Sequence, residues 1–315
     1  MRDIAVRTPL LHFSFPGSQQ DGRQLYVKAE NLQPVGSFKL RGAYNKIASL
    51  APEERQRGVI AYSSGNHAQG VAYAARALRV RAVIVMPKTA PAIKRESTAA
   101  MGAELVLVGP GSNERKERAE ELAREHGYII VPPYNDEFII AGQGTIGLEI
   151  LEDLPDVDVV LAPVGGGGLV SGIAAAIKQS GRSAARVIGV EPALAADALA
   201  SMRAGRVVAF SAEETTRTIA DGLRTQSIGE ISFEHIRAFV DGIVTVSEHE
   251  IKQAMRLLAA NPKVIAEPSG AVTVAAFLFR ASELPGCRKY VAVVSGGNVE
   301  PEMLDEILQN PPGKF

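Results

Sequence analysis

Residues 157–169 read VDVVLAPVGGGGL, an apolar run followed by four consecutive glycines. The apolar part, from Val157 to Ala162, is typical of a β-strand that is covered on both faces. Four glycines would let the backbone wrap closely around an anion with no side chain in the way. The segment matches neither a Walker loop nor a dinucleotide fingerprint with its acidic residue in place. It therefore predicts either an anion-binding loop between a strand and a helix or a flexible turn.

Short β-rich runs alternate with helical patterns along the rest of the chain. Further strands are predicted at Val59–Tyr62, Ala82–Met86, Glu104–Val108, Tyr128–Val131, Arg186–Val190, Gly242–Val246 and Lys289–Val294. Helices are predicted over Asn113–His126, whose charges lie on one side, and after Ser247, where Ser-Glu-His-Glu forms a capping box. This alternation predicts an α/β fold of right-handed βαβ units, with parallel strands in one sheet or two.

The composition is that of an ordinary soluble globular protein: of 315 residues, 46% are hydrophobic and 22% are charged. A formal net charge of −1 gives no indication of binding to nucleic acid or to an acidic membrane surface. No apolar run reaches the roughly 18 residues that a membrane span needs, and the first residues lack the apolar core of a secretory signal. The single cysteine, Cys287, excludes an internal disulfide. We therefore expect a cytoplasmic protein that binds neither nucleic acid nor membrane.

Two further turns carry polar residues at the carboxyl ends of predicted strands, where α/β sheets bind their ligands. Ser63–His67 would suit a carboxylate or a phosphate, although Ser63 or Ser64 could equally serve as a plain helix cap. Ser295 follows the last predicted strand, where it could bond a ring nitrogen or cap a turn.

One lysine lies in an apolar and small-residue setting ahead of these strands. Lys39 belongs to the segment PVGSFKLRG, residues 34–42. Most lysines are solvated, but a lysine that is desolvated near a phosphate-binding loop can become a Schiff-base nucleophile. Lys39 therefore distinguishes an enzyme from a non-enzymatic metabolite-binding module of the same layout, which has no reason to keep such a residue.

Taken together, these segments resemble the threonine dehydratase and serine racemase group of fold type II pyridoxal-phosphate enzymes, over nearly the whole chain. The segments that match in order and spacing are GSFKLRG (36–42), SSGNHAQG (63–70), AGQGT (141–145), GGGG (165–168) and SGGN (295–298). The resemblance implies a tryptophan synthase β-like fold of two parallel-sheet α/β domains, and a homodimer. Residues 1–48 and 137–315 would form the large cofactor-binding domain, and residues 49–136 a small inserted domain.

The resemblance also assigns roles within a site for pyridoxal 5′-phosphate and an amino-acid substrate. Lys39 would hold the cofactor as a Schiff base and take the Cα proton, and Ser64 would be the second catalytic residue. The other cofactor contacts would come from Phe38, Asn66, Gly165, Gly166, Gly167, Gly168, Leu169 and Ser295. The substrate would be bound by Ser63, Ser64, Asn66 and His67.

A second site implied by the resemblance would hold a magnesium or calcium ion. Its ligands would be Glu191, the backbone carbonyl of Ala195, and Asp197, with water completing the shell. Without the resemblance, this segment is typical of a surface helix start with two solvated carboxylates. Arg115 aligns with an arginine near the active-site lid, although a solvated helix face is an equal interpretation.

The activity implied is that of an ammonia-lyase, which converts L-threonine or L-serine to a 2-keto acid and ammonia. Pro132–Tyr134 resembles the dehydratases, whereas Ser64 and the segment Glu191–Asp197 resemble the racemases. A serine racemase with side dehydration, or a dehydratase of the hydroxyaspartate type, therefore stays open as an alternative.

Overall fold

The structure, a computed structural model, describes residues 4–15, 22–63, 65–90, 92–109, 112–261 and 263–309. Ser64, one of the predicted catalytic residues, lies outside the described residues. Within them the strands are β1 (Leu10–Phe13), β2 (Gln24–Ala29), β3 (Val59–Tyr62), β4 (Ala82–Pro87), β5 (Glu104–Val108), β6 (Ile129–Ile130), β7 (Val159–Pro163), β8 (Arg186–Pro192), β9 (Gly242–Val246) and β10 (Lys289–Val294).

The helices lie mostly between these strands. They are α1 (Lys39–Ser49), α2 (Pro52–Arg57), α3 (Asn66–Leu78), α4 (Ala92–Ala100), α5 (Ser112–His126), α6 (Glu137–Asp153), α7 (Gly168–Gln179), α8 (Asp197–Ala204), α9 (Ala212–Thr215), α10 (Glu230–Phe239), α11 (Glu248–Ala260), α12 (Pro268–Phe279) and α13 (Pro301–Gln309). Short 3-10 turns are formed by Glu30–Leu32, Asp221–Leu223 and Ala281–Glu283.

The strands form two separate sheets. The larger sheet has the order β1-β2-β10-β7-β8-β9; β1 pairs antiparallel with β2, and the other neighbours pair in parallel. The smaller sheet has the order β5-β4-β3-β6 and is parallel throughout. Its strands all lie inside the range 49–136, and the exact domain boundaries stay a prediction.

Strand β7 shows why its sequence is continuously apolar. Val159 and Leu161 belong to the core that Phe277 of α12 fills, whereas Val160 and Ala162 belong to the core on the other face, with Ile173 of α7. Because successive side chains of a strand point to opposite faces, a strand covered on both sides must be apolar at every position. The predicted α/β fold with parallel sheets is confirmed.

Two strands, β1 and β2, were absent from the sequence prediction. β2 reads QLYVKA and ends in a fully buried stretch that includes Lys28. Lys28 is 0% exposed, and the contact of its Nζ with Glu149 of α6 at 2.6 Å offsets the cost of burying its charge. A buried charge of this kind depends on a partner 121 residues away, so a local pattern gives no sign of it.

Helix α1 is held by two helices that approach it closely. A side chain at Gly70 of α3 would lie 3.1 Å from the Lys39 carbonyl carbon, and one at Gly142 of α6 would lie 2.6 Å from the Arg41 carbonyl oxygen. The missing side chains let both helices pack directly against the backbone of α1. The glycines of SSGNHAQG and AGQGT therefore fix the helix that begins with Lys39.

Candidate active site

A cavity of about 440 Å³ opens at the carboxyl ends of β3, β7 and β10. Eleven predicted residues line it: Phe38, Lys39, Ser63, Asn66, His67, Gly165, Gly166, Gly167, Gly168, Leu169 and Ser295. The structure therefore brings the described members of the predicted cofactor and substrate site together. The predicted metal ligands are not among the lining residues.

Lys39 is placed by a short contact between two loops. Ser37 forms an isolated antiparallel bridge with Gly296, and the Phe38 N–H donates to the Ser295 carbonyl at 3.0 Å. The chain then enters α1 at Lys39, whose Nζ donates to the Pro133 carbonyl at 2.8 Å. Burial lowers the pKa of Lys39 to about 8, although the nearby charge of Glu267 opposes this change. Lys39 is therefore a desolvated amine inside the cavity.

The glycine run leads into the N-terminus of helix α7, which has no side-chain cap. Gly167 is the N-cap residue of α7, with a φ of 89°, and it offers no side chain to the free N–H groups of the first turn. Such a terminus attracts anions through its N–H groups and its dipole. A Cβ at Gly166 would overlap the ring of Tyr134, so this glycine is needed for packing as well as for a ligand's approach.

His67 and Ser63 line the cavity but have partners within the protein. His67 Nε2 bonds the Val131 carbonyl at 2.9 Å. Burial, together with the charge of Lys39, lowers the pKa of His67 to about 3. The imidazole is therefore neutral and donates its Nε2–H to Val131. The Ser63 hydroxyl accepts the Gly65 N–H at 3.2 Å, and its own proton can be donated elsewhere.

The predicted metal segment lies in the interior. Glu191 accepts hydrogen bonds from the N–H groups of Ala198 and Leu199 at 2.9 and 2.8 Å. The carboxylate of Asp197 is buried near the backbone N–H groups of Asp197 and Ile228, neither of which reaches it with good hydrogen-bond geometry. Burial raises the pKa of Glu191 to about 8 and that of Asp197 to about 7. The interpretation of two solvated carboxylates is wrong, because both residues are 0% exposed.

No cluster of three or more His, Cys, Asp or Glu side chains that could hold a metal ion occurs in the part of the chain that the structure describes. The predicted set has only two carboxylates and the carbonyl of Ala195, so it would not form such a cluster. Arg115 is partly buried and lines the cavity, where burial lowers its pKa, and its role stays a prediction.

Glu267, Lys94 and Asp221 are among the cavity residues that the sequence did not predict. Glu267 accepts a hydrogen bond from Asn66 Nδ2 at 2.7 Å. Lys94 Nζ lies 3.4 Å from Asp221 Oδ2, which joins α4 to the 3-10 turn of the large-sheet region across the cavity. Glu267 precedes Pro268, the first residue of α12, where an acidic side chain ordinarily interacts with the helix dipole. The sequence signal therefore favoured a structural role.

The residues present fit pyridoxal phosphate. The amine of Lys39 could bond an aldehyde, and the uncapped start of α7 could hold a phosphate. Ser295, 2% exposed at the end of β10, and Asn66 place polar groups on the same cavity. An amine, an anion site and polar groups for a ring are what the cofactor would need.

The chain belongs to the pyridoxal-phosphate dependent enzyme family, whose model matches residues 1–296. The chain is 46% identical over 308 residues to the L-threonine ammonia-lyase of Thermotoga maritima, covering 98% of this chain and 75% of that protein. It is 44% identical over 300 residues to the L-threo-3-hydroxyaspartate ammonia-lyase of Saccharomyces cerevisiae, covering 95% and 90%.

The fold is also that of solved relatives. Maize serine racemase superposes with a TM-score of 0.88 at 35% identity, over 97% of this chain and 92% of that chain. The family assignment made from the sequence is confirmed. Among the described residues, no helix is both long enough and apolar enough to cross a membrane.

Proposed function

We propose that this protein is a pyridoxal-phosphate dependent ammonia-lyase that converts L-threonine or L-serine to a 2-keto acid and ammonia. The observation that carries the proposal is the position of Lys39, a desolvated amine in the same cavity as the uncapped glycine start of α7. The relatives named above add the substrate class, because two of them are ammonia-lyases of β-hydroxy amino acids.

When bound, pyridoxal phosphate supplies an electron sink for the charge left on the substrate Cα. Lys39 Nζ is the group that would take the Cα proton. Its pKa of about 8 leaves a useful neutral fraction near neutral pH. Phe38 lies next to this amine, with its ring centroid 5.1 Å from Nζ, and restricts where the amine can move.

The substrate carboxylate would lie at the start of α3, near Ser63 and Asn66. The neutral His67 adds no charge there, so recognition would depend on N–H and hydroxyl donors and on the helix terminus. The cavity wall also carries Lys94, whose Nζ lies 3.4 Å from Asp221 Oδ2, and Arg115. Because one relative is an L-threo-3-hydroxyaspartate ammonia-lyase, the hydroxyaspartate alternative stays in the test.

The test is a substrate panel of L-threonine, L-serine, D-serine and L-threo-3-hydroxyaspartate, scored for both keto acid and stereochemical inversion. We expect keto acid from L-threonine or L-serine, and its loss in Lys39→Ala together with the visible absorbance of the bound cofactor. Lys252→Ala, a partly exposed lysine that pairs with Glu306, is the matched control. Dehydratase activity that survived in Lys39→Ala would contradict the proposal.

Ser64 would decide between lyase and racemase. Its hydroxyl would deliver a proton to the Cα face opposite Lys39, which racemisation requires and L-threonine deamination does not. Ser64→Ala should therefore suppress inversion of serine while leaving L-threonine deamination largely intact. Equal losses on L- and D-substrates would instead indicate a role in carboxylate binding.

We further propose a divalent cation between Glu191, the Ala195 carbonyl and Asp197, supported by the carboxylate of Asp197, which is buried without a well-formed hydrogen bond. A homodimer and a cytoplasmic location also remain proposals from the sequence. Sedimentation of the holoenzyme would test the first, and fractionation of cells would test the second.

A further inference from the structure

Glu267 stands at the N-cap position of α12 but does not cap it. Its backbone is extended, with φ −72° and ψ 162°, and its carbonyl accepts the N–H of Ala271 at 3.1 Å. Its side chain makes no cap hydrogen bond and lines the cavity, where the residue is 3% exposed. A carboxylate at this position ordinarily stabilises the free N–H groups of the helix. Here the carboxylate contacts Asn66 instead.

The partner of Glu267 is the side-chain amide of Asn66. Asn66 Nδ2 donates to Glu267 Oε1 at 2.7 Å, and Asn66 Oδ1 accepts from Asn298 Nδ2 at 2.7 Å. Asn298 is itself held, because its Nδ2 also donates to the Val35 carbonyl at 2.9 Å. A flipped Asn66 would place oxygen against carboxylate and N–H against N–H. The amide therefore has one favourable orientation.

Room for this array is made by two motif glycines. A Cβ at Gly296 would overlap Glu267 Oε1 and lie 3.2 Å from Asn66 Nδ2. A Cβ at Gly36, whose φ is 70°, would overlap the Asn298 side chain. The glycines of GSFKLRG and SGGN thus enclose the Glu267–Asn66–Asn298 array, which is built from three distant parts of the chain.

An amide nitrogen carries two hydrogens, and the array uses one of those on Asn66. The second is left for a partner in the cavity that Asn66 lines. The resemblance implies a contact between Asn66 and the 3′-oxygen of the cofactor. We infer that Glu267 is a positioning residue, whose carboxyl fixes the Asn66 amide so that its second N–H is directed at that oxygen. This inference rests on the proposed function, which supplies the cofactor.

The charge of Glu267 is not needed for this role. Burial raises the pKa of Glu267 to about 8, and the charge of Asp221 raises it further, while hydrogen bonds from the Asn66 side chain and the Asn298 N–H and the charge of Lys94 oppose the change. Lys39 also faces this carboxyl. Protonated or not, the carboxyl keeps an oxygen that can accept the Asn66 N–H. A glutamine at the same position keeps that acceptor as well, so it separates positioning from charge.

A double-mutant cycle tests the inference through affinity for the cofactor rather than turnover. Pyridoxal phosphate is titrated into the apo forms of the full-length wild type, Glu267→Ala, Asn66→Ala and the double variant, and its dissociation constant is measured by fluorescence. Glu267→Ala should weaken binding by on the order of tenfold, since about 1.4 kcal/mol is tenfold in an equilibrium constant. In the Asn66→Ala background the same change should have almost no further effect.

Two other variants separate the explanations. Glu267→Gln should bind within about threefold of wild type, because it keeps the acceptor. Glu250→Ala is the matched control: it removes a salt bridge to Arg280 at the other end of α12, at 2.8 Å, away from the cavity. It should lower the melting temperature without changing the affinity for the cofactor.

Several results would overturn the inference. Additive effects of Glu267→Ala and Asn66→Ala would mean that Glu267 does not act through Asn66. A Glu267→Gln variant as weak as Glu267→Ala would mean that the charge is what matters. If Glu267→Ala does not fold, Asn298→Ala and Glu267→Gln decide together. Asn298→Ala removes the donor to Asn66 Oδ1 and should therefore weaken cofactor binding. Unchanged affinity in Asn298→Ala would reject the array. Failure of the wild type to bind the cofactor would instead reject the proposed function and this inference with it.

Discussion

Two groups of carboxylates inside the described part of the chain differ in what surrounds them: Glu30 with the partly buried Glu149, and the buried Glu191 with Asp197. Glu30 and Glu149 contact two cations, Lys28 and Arg41. Glu191 and Asp197 take part in no salt bridge among the residues that the structure describes. The first group, with its two cations, is called the paired cluster. The second, which has backbone N–H groups but no cation around it, is called the unpaired cluster, and its negative charge would be stabilised by protons or by a bound cation.

The paired cluster supports the helix that carries Lys39. Arg41 donates from Nε and Nη2 to the two carboxylate oxygens of Glu30, each at 2.8 Å, and from Nη1 to Glu149 at 2.6 Å. Arg41 is only two residues after Lys39 on α1, so the cluster ties the start of that helix to α6. Two-point contacts of this kind are specific to the planar guanidinium group.

Breaking the paired cluster should give the largest effect. Arg41→Met leaves Glu30 buried without its main partner, and we expect a loss of about 3–5 kcal/mol in the free energy of unfolding. Urea unfolding of the apo protein measures this. The control is Arg81→Met, whose pair with Glu104 is exposed at 61% and 55% and should cost less than about 1 kcal/mol. Equal losses in the two variants would contradict the comparison.

The unpaired cluster should respond to metal. Magnesium or calcium bound between Glu191 and Asp197 stabilises only the folded state, by about 2.7 kcal/mol at a concentration 100-fold above its Kd. We therefore expect the melting temperature of wild type to rise with added cation and to fall with a chelator. Asp197→Asn should remove this response, whereas Asp305→Asn, on the exposed side of α13, should keep it. A wild type insensitive to both cation and chelator would reject the metal site.

Strands, glycine turns and helix caps were the features that the sequence predicted best. The glycine run after β7, and the strands β3, β5, β9 and β10, were predicted with the bounds observed or close to them, because apolar periodicity and glycine turns are local signals. The same holds for the capping box before α11, where Ser247 accepts the Glu250 N–H. The described members of the cofactor site followed from motif resemblance and share one cavity.

The rest depended on distant partners. Lys28 in β2 is charged, so its strand was missed, and its contact with Glu149 offsets the cost of burying that charge. Glu267 has the sequence signature of a helix cap, and its contact with Asn66 lies 201 residues away. A local pattern records which residues are polar but not which of them are paired after folding. That is why the sequence predicted the glycine residues of the cavity in full but missed some of its polar residues.

The pH dependence of stability gives a smaller test of the unpaired cluster. Burial raises the pKa of Asp197 from 3.8 to about 7 and that of Glu191 from 4.5 to about 8. Between about pH 4 and pH 8 the folded state holds protons that the unfolded state has released, so the free energy of unfolding falls as the pH rises. Without divalent cation, Asp197→Asn should be more stable than wild type near pH 8 by more than about 1 kcal/mol, since each unit of the pKa difference corresponds to about 1.4 kcal/mol. The gain should shrink as the pH approaches 4.

Calorimetry in chelator-treated buffer at several pH values measures this difference. Glu30→Gln is the contrasting variant: it removes a carboxylate that is already paired with Arg41, so it should be destabilising near neutral pH. If Asp197→Asn and Glu30→Gln changed stability in the same direction, the distinction between a paired and an unpaired cluster would be lost.

The smallest effect should come from the exposed edge of the paired cluster. Asp153 Oδ2 lies 3.9 Å from the buried Lys28 Nζ, while Asp153 Oδ1 accepts from Arg7 Nη2 at 2.6 Å. Arg7 also pairs with Glu152, but its side chain is 49% exposed. Water therefore solvates the guanidinium in either state, and holding it in place costs side-chain entropy. Arg7→Ala should reduce the free energy of unfolding by less than about 1 kcal/mol, and added salt should reduce the difference further.

Urea unfolding at low and high salt measures the Arg7→Ala effect, with Arg41→Met beside it as the reference for a buried pair. The two arginines contact neighbouring acids of the same helix α6, so they differ mainly in exposure. A salt-insensitive loss of more than about 2 kcal/mol in Arg7→Ala would be the size expected for a buried contact. In that case Arg7, Glu152 and Asp153 would have to be counted as members of the paired cluster.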